Sequence, residues 1–302
     1  MPIAGGEPIL FHGVPAIAWR SRDGASAIAT LQGAQVVSWI PSGGEEGLFL
    51  SERSAFEAGK AVRGGIPVCF PQFADRGPLP QHGFARTQPW TFAGTSESGS
   101  GLCATFWLET SAVTRLAWPH AFRCELAATI GGSRLEVRLR VINRDAAPWA
   151  FTAALHAYFR LRDSSMARLH GLRGVRYVNR GSDAVHVEGR EDILAGEAID
   201  RVYFATPGAT RLGDATHGLR IEQQGFTDTV VWNPGAELTA RMADMPRDGD
   251  RHMLCVEAAA IEPPVTLQPG AEWTGTQAVF VDRAPPASFS PPRRRGPGDP
   301  PP

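Results

Sequence analysis

The amino-acid sequence predicts an all-β protein in which many short strands form one large antiparallel β-sandwich. The chain of 302 residues contains 33 glycines and 25 prolines. These residues separate short runs rich in Val, Ile, Thr and aromatic side chains, a texture typical of strands joined by turns. Helical periodicity is almost absent, since only the segment 189–198 could hold one helical turn and Gly196 limits even that turn. The spacing of strands and turns therefore indicates a sandwich of antiparallel sheets.

The segment 134–141, RLEVRLRV, is the clearest strand. Its apolar residues occupy every second position and therefore share one face of an extended chain, whereas its charged residues share the opposite face, which we expect to be solvated. The segment 122–130 alternates in the same way, and Gly131-Gly132 between the two indicates a hairpin turn. Further strands are expected, in chain order, at 16–19, 27–31, 36–40, 104–109, 149–155, 219–223, 229–232, 253–258 and 274–281.

We expect one folded domain over residues 1–284, followed by a disordered tail over residues 285–302. The tail contains eight prolines and the run Arg293-Arg294-Arg295. It lacks the apolar side chains whose burial would offset the entropy that is lost when a chain becomes ordered. The four cysteines are widely spaced without a CxxC pair, so we expect buried, reduced thiols rather than a zinc or redox site. They are Cys69, Cys103, Cys124 and Cys255.

The composition excludes several classes of function. The 30 basic and 31 acidic residues give a formal net charge of −1, whereas nucleic-acid-binding domains are usually strongly basic. No apolar run reaches the roughly 18 residues of a transmembrane helix, and the first residues lack the basic and apolar regions of a signal peptide. We therefore expect a cytoplasmic protein that binds neither nucleic acid nor membrane. Because nothing in the sequence indicates an interface, we also expect a monomer.

Two neighbouring segments rich in glycine and proline are candidates for a functional loop. Residues 63–73 are RGGIPVCFPQF and residues 77–86 are GPLPQHGFAR. Glycine and proline fix an irregular backbone, and loops held on a rigid sandwich commonly carry function. Arginines that flank an imidazole and amides could bind an anion, although a long surface connection with scattered polar groups would give the same pattern. The polar residues are Arg63, Gln72, Gln81, His82 and Arg86.

Two further segments contain a titratable residue among apolar neighbours. Glu257 is a lone carboxylate in an uninterrupted run of small and apolar residues, and because burying an unpaired carboxylate is costly, we interpret it as functional. His156, in LHAYF at 155–159, could be a hydrogen-bonded core residue or a catalyst. A buried carboxylate and a neutral histidine can act together as base and acid. The residues alone therefore predict an acid–base enzyme acting on a small anionic ligand, without naming that ligand.

The segments together resemble the glucose-6-phosphate 1-epimerase (hexose-6-phosphate mutarotase) family, which is related to the aldose 1-epimerases. The resemblance covers roughly residues 8–282 in order. Ala74 stands where the family usually has a glycine, a departure at the rim of the expected pocket. Besides the two loop segments, the resemblance rests on LHAYF at 155–159, IDRVYF at 199–204, WNP at 232–234, MLCVEAA at 253–259 and PVTLQPG at 264–270.

The resemblance implies a galactose-mutarotase-like antiparallel β-supersandwich and an isomerase that interconverts sugar anomers. It implies that Glu257 is the general base for the anomeric hydroxyl and that His156 is the general acid for the ring oxygen. Ring opening and reclosure move only protons, so no metal, nucleotide or redox cofactor is expected.

The resemblance also implies the substrate, a hexose 6-phosphate and most simply glucose 6-phosphate. Arg63 and Arg86 would supply charge-assisted hydrogen bonds to its phosphate. Gln81 and Asp200 would bind the sugar, and His82 would lie close to the sugar ring.

Four other functions remain open. An aldose 1-epimerase for unphosphorylated sugars would share the acid–base pair, although the two arginines argue against it. A non-catalytic sugar-phosphate-binding module would keep the arginines but would need neither His156 nor Glu257. A cupin-like metal enzyme could use these two residues with His82, but the closely spaced HxH of such a site is missing. A glycosidase needs two carboxylates, and only Glu257 is well placed.

Overall fold

The structure, a computed structural model, describes residues 5–214 and 217–282 of the chain. The tail that the sequence predicts to be disordered, residues 285–302, lies outside this part, so its disorder stays a prediction. Within the described residues, short strands alternate with turns along almost the whole chain.

Twenty-one strands account for most of the regular structure in the described part of the chain. Each strand predicted from the sequence overlaps one of them. The strands are β1 (Gly6–Phe11), β2 (Val14–Arg20), β3 (Ser26–Thr30), β4 (Val36–Ile40), β5 (Val68–Cys69), β6 (Thr91–Ser98), β7 (Gly101–Glu109), β8 (Phe122–Gly131), β9 (Arg134–Asn143), β10 (Trp149–Leu155), β11 (Tyr158–Arg160), β12 (Arg168–His170), β13 (Arg176–Asn179), β14 (Val185–Val187), β15 (Asp192–Leu194), β16 (Ile199–Tyr203), β17 (Ala209–Gly213), β18 (Gly218–Gln224), β19 (Asp228–Asn233), β20 (Met253–Leu267) and β21 (Glu272–Asp282).

The strands form three antiparallel sheets. A four-stranded sheet has the order β1-β2-β3-β4, and an eight-stranded sheet has the order β14-β13-β16-β19-β20-β10-β5, with β11 also paired to β20. A nine-stranded sheet has the order β15-β12-β17-β18-β21-β9-β8-β7-β6. The predicted hairpin joins β8 to β9, with Gly131 opposite Arg134. The all-β antiparallel sandwich expected from the sequence is confirmed.

The main core lies between the eight-stranded and nine-stranded sheets. Leu135 and Val137 of β9 are buried there, as their alternation with charged residues predicts, and Val256 and Ala258 of β20 meet them from the other sheet. Because successive side chains of a strand point to opposite faces, Glu257 points away from this core. It therefore lies on the outer face of the eight-stranded sheet.

One possibility that the sequence leaves open is not realised, and one sequence prediction about a cysteine is wrong. The segment 189–198 contains strand β15 rather than a helical turn, because Ile193 pairs with Leu169 of β12 and is buried in the core. Tertiary burial and ladder hydrogen bonds outweigh a weak local pattern of this length. Cys103 is only partly buried, since it occupies one of the outward-facing positions of β7. The other three cysteines are buried, and all four are free thiols.

Short helices occur where the sequence shows no helical periodicity. The first, α1 (Ala112–Ala117), begins after Ser111, whose hydroxyl accepts a hydrogen bond from the Thr114 N–H, while the Thr114 hydroxyl accepts one from the Ser111 N–H. This reciprocal cap satisfies N–H groups that a helix end leaves free. No helix in the described part of the chain is long and apolar enough to cross a membrane. The remaining helices are α2 (Gly235–Thr239) and two 3₁₀ turns, Ala85–Thr87 and Gly249–His252.

Candidate active site

A cavity of about 650 Å³ opens on the outer face of the eight-stranded sheet, a size that suits a small molecule. Neighbouring strands each contribute to its lining, with Asp200 from β16, Trp232 from β19 and Glu257 from β20. Asp200 lies directly opposite Trp232 in the ladder, and Val230 lies opposite Glu257, so their side chains share one face. All seven site residues predicted from the sequence line this cavity: Arg63, Gln81, His82, Arg86, His156, Asp200 and Glu257.

His156 and Glu257 form a buried pair in the lining of the cavity. His156 follows the last residue of β10, and its N–H donates to the Pro67 carbonyl at 2.9 Å. Its Nδ1 lies 3.3 Å from Oε1 of Glu257, and the side chains are only 9% and 1% exposed. The two groups are not hydrogen-bonded to each other, and neither Nδ1 of His156 nor Oε2 of Glu257 has a hydrogen-bond partner within residues 5–214 and 217–282. Buried polar atoms without a partner are uncommon, and a catalytic role is one explanation of them.

Burial favours the neutral form of both members of the pair. It holds the pKa of Glu257 well above its usual value, Asp200 raises that pKa further, and Arg86 opposes the rise. Burial also holds the pKa of His156 well below its usual value, and His82 and Arg86 act in the same direction. The pair therefore favours a neutral imidazole beside a protonated carboxyl. The two groups are close enough, 3.3 Å apart, for their titrations to be coupled.

Arg63 is held from two sides. Its Nε donates to Oδ2 of Asp244 at 3.1 Å and its Nη2 lies 3.0 Å from the same oxygen. Its Nη1 donates to the Tyr158 hydroxyl at 3.1 Å, and the guanidinium carbon lies 5.8 Å from the centre of the Trp232 ring. The Tyr158 ring in turn stacks on His156, with ring centres 4.8 Å apart. Asp244 therefore offsets part of the Arg63 charge, and Arg63 braces the ring against which His156 packs.

The glycines of the two loop segments are required by the backbone. Gly65 has a φ of 60° and Gly83 a φ of 69°, values that residues other than glycine rarely adopt. A Cβ atom at Gly65 would lie 2.3 Å from a carbonyl oxygen of β4, and a Cβ atom at Gly83 would lie 2.2 Å from the Phe70 carbonyl oxygen. This close approach of chain segments fixes the positions of Arg63 and His82, which explains why the motifs contain glycine there.

Arg86 and Asp200 bring opposite charges to the cavity. Nη2 of Arg86 donates to the Gln81 carbonyl at 2.9 Å, so Gln81 holds Arg86 through its main chain while its own side chain is exposed. The Asp200 carboxylate lies 3.6 Å from Nη1 of Arg180. Burial raises the pKa of Asp200, and Arg180 opposes the rise. Asp200 therefore lies close to one cavity arginine and raises the pKa of Glu257.

Sequence reasoning misses three residues that shape the cavity. Asp244 lies 181 positions from Arg63, its partner, and Arg180 lies in a polar turn after β13. No local pattern distinguishes either residue. Tyr158 does carry a signal, because it follows His156 by two residues, the spacing that places side chains on one face of an extended chain.

In the described part of the chain, one group of side chains is close enough to hold a cation. The candidate ligand atoms of His156, Cys255 and Glu257 lie within 4.8 Å of one another, and all three residues are buried. Burial raises the pKa of Cys255 well above its usual value, which disfavours the thiolate that a metal would bind. His82, the other histidine of the cupin-like hypothesis, is not part of this group. The donor set therefore fits a metal poorly, and the expectation of a metal-free site stays a prediction.

The sequence is similar over most of its length to the aldose 1-epimerase family. A sequence model of the aldose 1-epimerase family matches residues 15–279. A protein of Cenchrus ciliaris, provisionally named glucose-6-phosphate 1-epimerase, is 35% identical over 278 residues, which cover 88% of this chain and 84% of the relative.

Solved structures extend the similarity to the fold. The crystal structure of a protein from Salmonella typhimurium, provisionally described as a mutarotase, superposes with a TM-score of 0.85 and 30% identity, and covers 94% of this chain and 95% of that one. A galactose mutarotase-like protein from Clostridium acetobutylicum gives a TM-score of 0.75 at 15% identity, covering 93% and 99% of the two chains. The second likeness concerns the fold alone. The galactose-mutarotase-like sandwich expected from the sequence is confirmed.

Proposed function

The chain belongs to the aldose 1-epimerase family, an isomerase family acting on sugar anomers, and we propose that it interconverts the α and β anomers of a hexose 6-phosphate, glucose 6-phosphate first among them. The observation that carries the proposal is the buried pair of His156 and Glu257, 3.3 Å apart, in a cavity that arginine side chains also line. A site with one mobile proton and two proton-carrying groups suits a reaction in which protons alone are exchanged.

Two proton transfers open the sugar ring. Glu257 accepts the proton of the anomeric hydroxyl, the C1–O1 bond becomes a carbonyl, and the bond between C1 and the ring oxygen breaks. His156 gives its proton to the ring oxygen as that bond breaks. After rotation about C1–C2, His156 takes the proton back, the ring oxygen attacks the other face of C1, and Glu257 returns its proton to O1. Each such transfer typically contributes roughly 10²–10⁴-fold.

The burial of the pair makes both partners more reactive. A carboxylate whose pKa is raised is a stronger base than an ordinary glutamate, and an imidazolium whose pKa is lowered is a stronger acid than an ordinary histidine. The reactive form is the ion pair, which the favoured neutral form reaches when Glu257 loses its proton and His156, 3.3 Å away, gains one. Because one proton serves both groups, the same pair acts in both directions of the reaction.

The cavity arginines support a phosphorylated substrate. Asp244 already offsets part of the charge of Arg63, whereas the Arg86 side chain makes one hydrogen bond in the described chain, to a neutral carbonyl. We therefore assign Arg86 the main contact to the 6-phosphate and Arg63 a weaker one. The name of the Cenchrus ciliaris relative points to the same substrate. Gln81, His82 and Asp200 remain candidates for contacts to the sugar.

The sequence-based expectations on partners and location belong to the same proposal. The enzyme would act as a cytoplasmic monomer on a free sugar phosphate, without nucleic acid, membrane, metal or nucleotide, since the reaction needs only the pair and the arginines. Size-exclusion chromatography with light scattering tests the monomer, and full activity after treatment with a chelator tests the absence of a metal.

The substrate is tested by two-dimensional NMR exchange spectroscopy at equilibrium. Catalytic amounts of protein are added to glucose 6-phosphate and, separately, to glucose, and the exchange between α and β H1 signals is compared with buffer alone. We expect a much larger rate increase for glucose 6-phosphate. Equal acceleration of both sugars would identify an aldose 1-epimerase without phosphate selectivity, and binding of the sugar phosphate without any acceleration would identify a non-catalytic module.

A further inference from the structure

The Nδ1 atom of His82 faces two hydrogen-bond donors. The backbone N–H of Ala74 donates to it at 3.3 Å, and Sγ of Cys69 lies 3.2 Å from it. A nitrogen that accepts a hydrogen bond from a backbone N–H must carry a lone pair and no proton. The proton of a neutral His82 ring is therefore on Nε2.

The main chain holds this arrangement in a strained conformation. Ala74 has a φ of 50° and His82 a φ of 68°, both in the left-handed backbone region that residues other than glycine seldom adopt. The two residues bond to each other twice, since the His82 N–H donates to the Ala74 carbonyl at 2.8 Å and the Ala74 N–H donates to the ring. Strain of this kind persists where the surrounding structure fixes it, and it concentrates at functional sites.

Cys69 can serve as the second donor. It lies in β5 at the edge of the eight-stranded sheet and is fully buried. Burial raises the pKa of its thiol, so the sulfur keeps its proton and can donate it to Nδ1. Cys69 does not line the cavity, whereas His82 does.

The opposite edge of the His82 ring faces the cavity. Its Nε2 forms no hydrogen bond within the described chain, and it is not one of the fully buried polar atoms. The ring centre lies 5.3 Å from that of His156. Burial and the charge of Arg86 lower the pKa of His82 to about 3, so the ring stays neutral under ordinary conditions.

We propose that Cys69 and the Ala74 amide lock His82 in its Nε2–H tautomer, which makes His82 a fixed hydrogen-bond donor to the substrate and Cys69 a positioning residue. His82 then cannot accept the proton that His156 and Glu257 exchange, although its ring is next to theirs. The tautomer follows from the contacts alone, whereas its effect on catalysis rests on the proposed function.

The tautomer is measured by long-range ¹H–¹⁵N correlation NMR of the uniformly ¹⁵N-labelled protein, with His82 assigned by comparison with His82→Gln. We expect the neutral Nε2–H pattern from about pH 8 to about pH 5, whereas an ordinary histidine becomes charged near pH 6.5. An Nδ1–H pattern, or a ring that charges near pH 6, overturns the proposal. This result does not depend on any activity, so it separates failure of the tautomer from failure of the proposed function.

The role of Cys69 is tested with Cys69→Ala and Cys69→Ser. Alanine removes one of the two donors, and the Ala74 amide alone favours the Nε2–H tautomer less strongly, so we expect a minor population of the Nδ1–H tautomer of His82 to become detectable and kcat to fall about 3- to 10-fold, as for the loss of one neutral hydrogen bond. Serine keeps a donor, so we expect the wild-type tautomer and a kcat closer to that of the wild type. A role in packing alone predicts no advantage of serine over alanine. Equal behaviour of the two variants in both measurements would therefore overturn the assignment of Cys69.

Discussion

Replacement of Arg86 by alanine should convert a phosphate-selective enzyme into one that barely distinguishes glucose 6-phosphate from glucose. The Arg86 side chain lines the cavity and makes a single hydrogen bond in the described chain, to the carbonyl of Gln81. Its remaining donors are therefore available to a phosphate. A hydrogen bond to a charged group contributes about 1.5–3 kcal/mol, which corresponds to a loss of about 10- to 150-fold in kcat/KM for glucose 6-phosphate.

The assay compares exchange rates of both sugars, by NMR, over a range of substrate concentrations. For glucose 6-phosphate we expect the loss mainly in KM, and for glucose we expect little change, because glucose has no group for Arg86 to bind. Arg138→Ala is the matched control, since Arg138 is an exposed arginine of β9 that does not line the cavity. Equal losses on the two sugars in Arg86→Ala would refute the reasoning, because they would show that Arg86 supports the site rather than the phosphate.

Three further predictions concern pH and stability. Burial lowers the pKa of His156 and raises that of Glu257, so the pair carries one proton on both sides of neutrality. We therefore expect kcat to be constant from about pH 8 to about pH 6. A fall in kcat centred near pH 6.5 would mean that His156 titrates as an exposed histidine. Both carboxylate oxygens of the fully buried Asp228 accept hydrogen bonds from backbone N–H groups. Asp228→Ala should therefore lower the free energy of unfolding, measured by urea denaturation, by about 3 kcal/mol, and Asp228→Asn should lower it by less. Equal losses in the two variants would contradict the role of the oxygens. Ala74→Gly should raise the free energy of unfolding by about 0.5–1 kcal/mol, because relief of the backbone strain at a positive φ exceeds the entropy cost of glycine. A variant less stable than the wild type would argue against that strain.

The strand pattern and the candidate pair were accessible from the sequence for physical reasons. Alternation along 134–141 reflects one buried and one solvated face, and β9 shows both. Glu257 is recognisable because a lone carboxylate in an apolar run is costly unless it is used. The chemistry of Glu257 and His156 suggests a base and an acid that act together, whereas their individual roles on a sugar come only from the family resemblance.

Other features could not be predicted because they depend on distant contacts. The segment 189–198, which could hold a helical turn, contains strand β15, since pairing with β12 decides the conformation of so short a segment. From the sequence and its resemblance, Arg63 and Arg86 have the same expected role as phosphate ligands. Asp244 distinguishes them, because it comes from a loop 181 positions away and offsets only the charge of Arg63. In the sequence, Ala74 is notable only because the family usually has a glycine there. Its positive φ, a conformation that glycine adopts most easily, is visible only in the structure.

The central claim is that Glu257 accepts a proton from the substrate while His156 donates one to it. The most direct test is saturation transfer between α- and β-glucose 6-phosphate with wild-type protein and with Glu257→Gln. Glutamine keeps the shape of the side chain but cannot accept the anomeric proton. We predict acceleration by the wild type and a loss of at least about 10²-fold in the variant, with unchanged binding of glucose 6-phosphate. If Glu257→Gln exchanges the anomers as fast as the wild type, Glu257 is not the base and the account is contradicted.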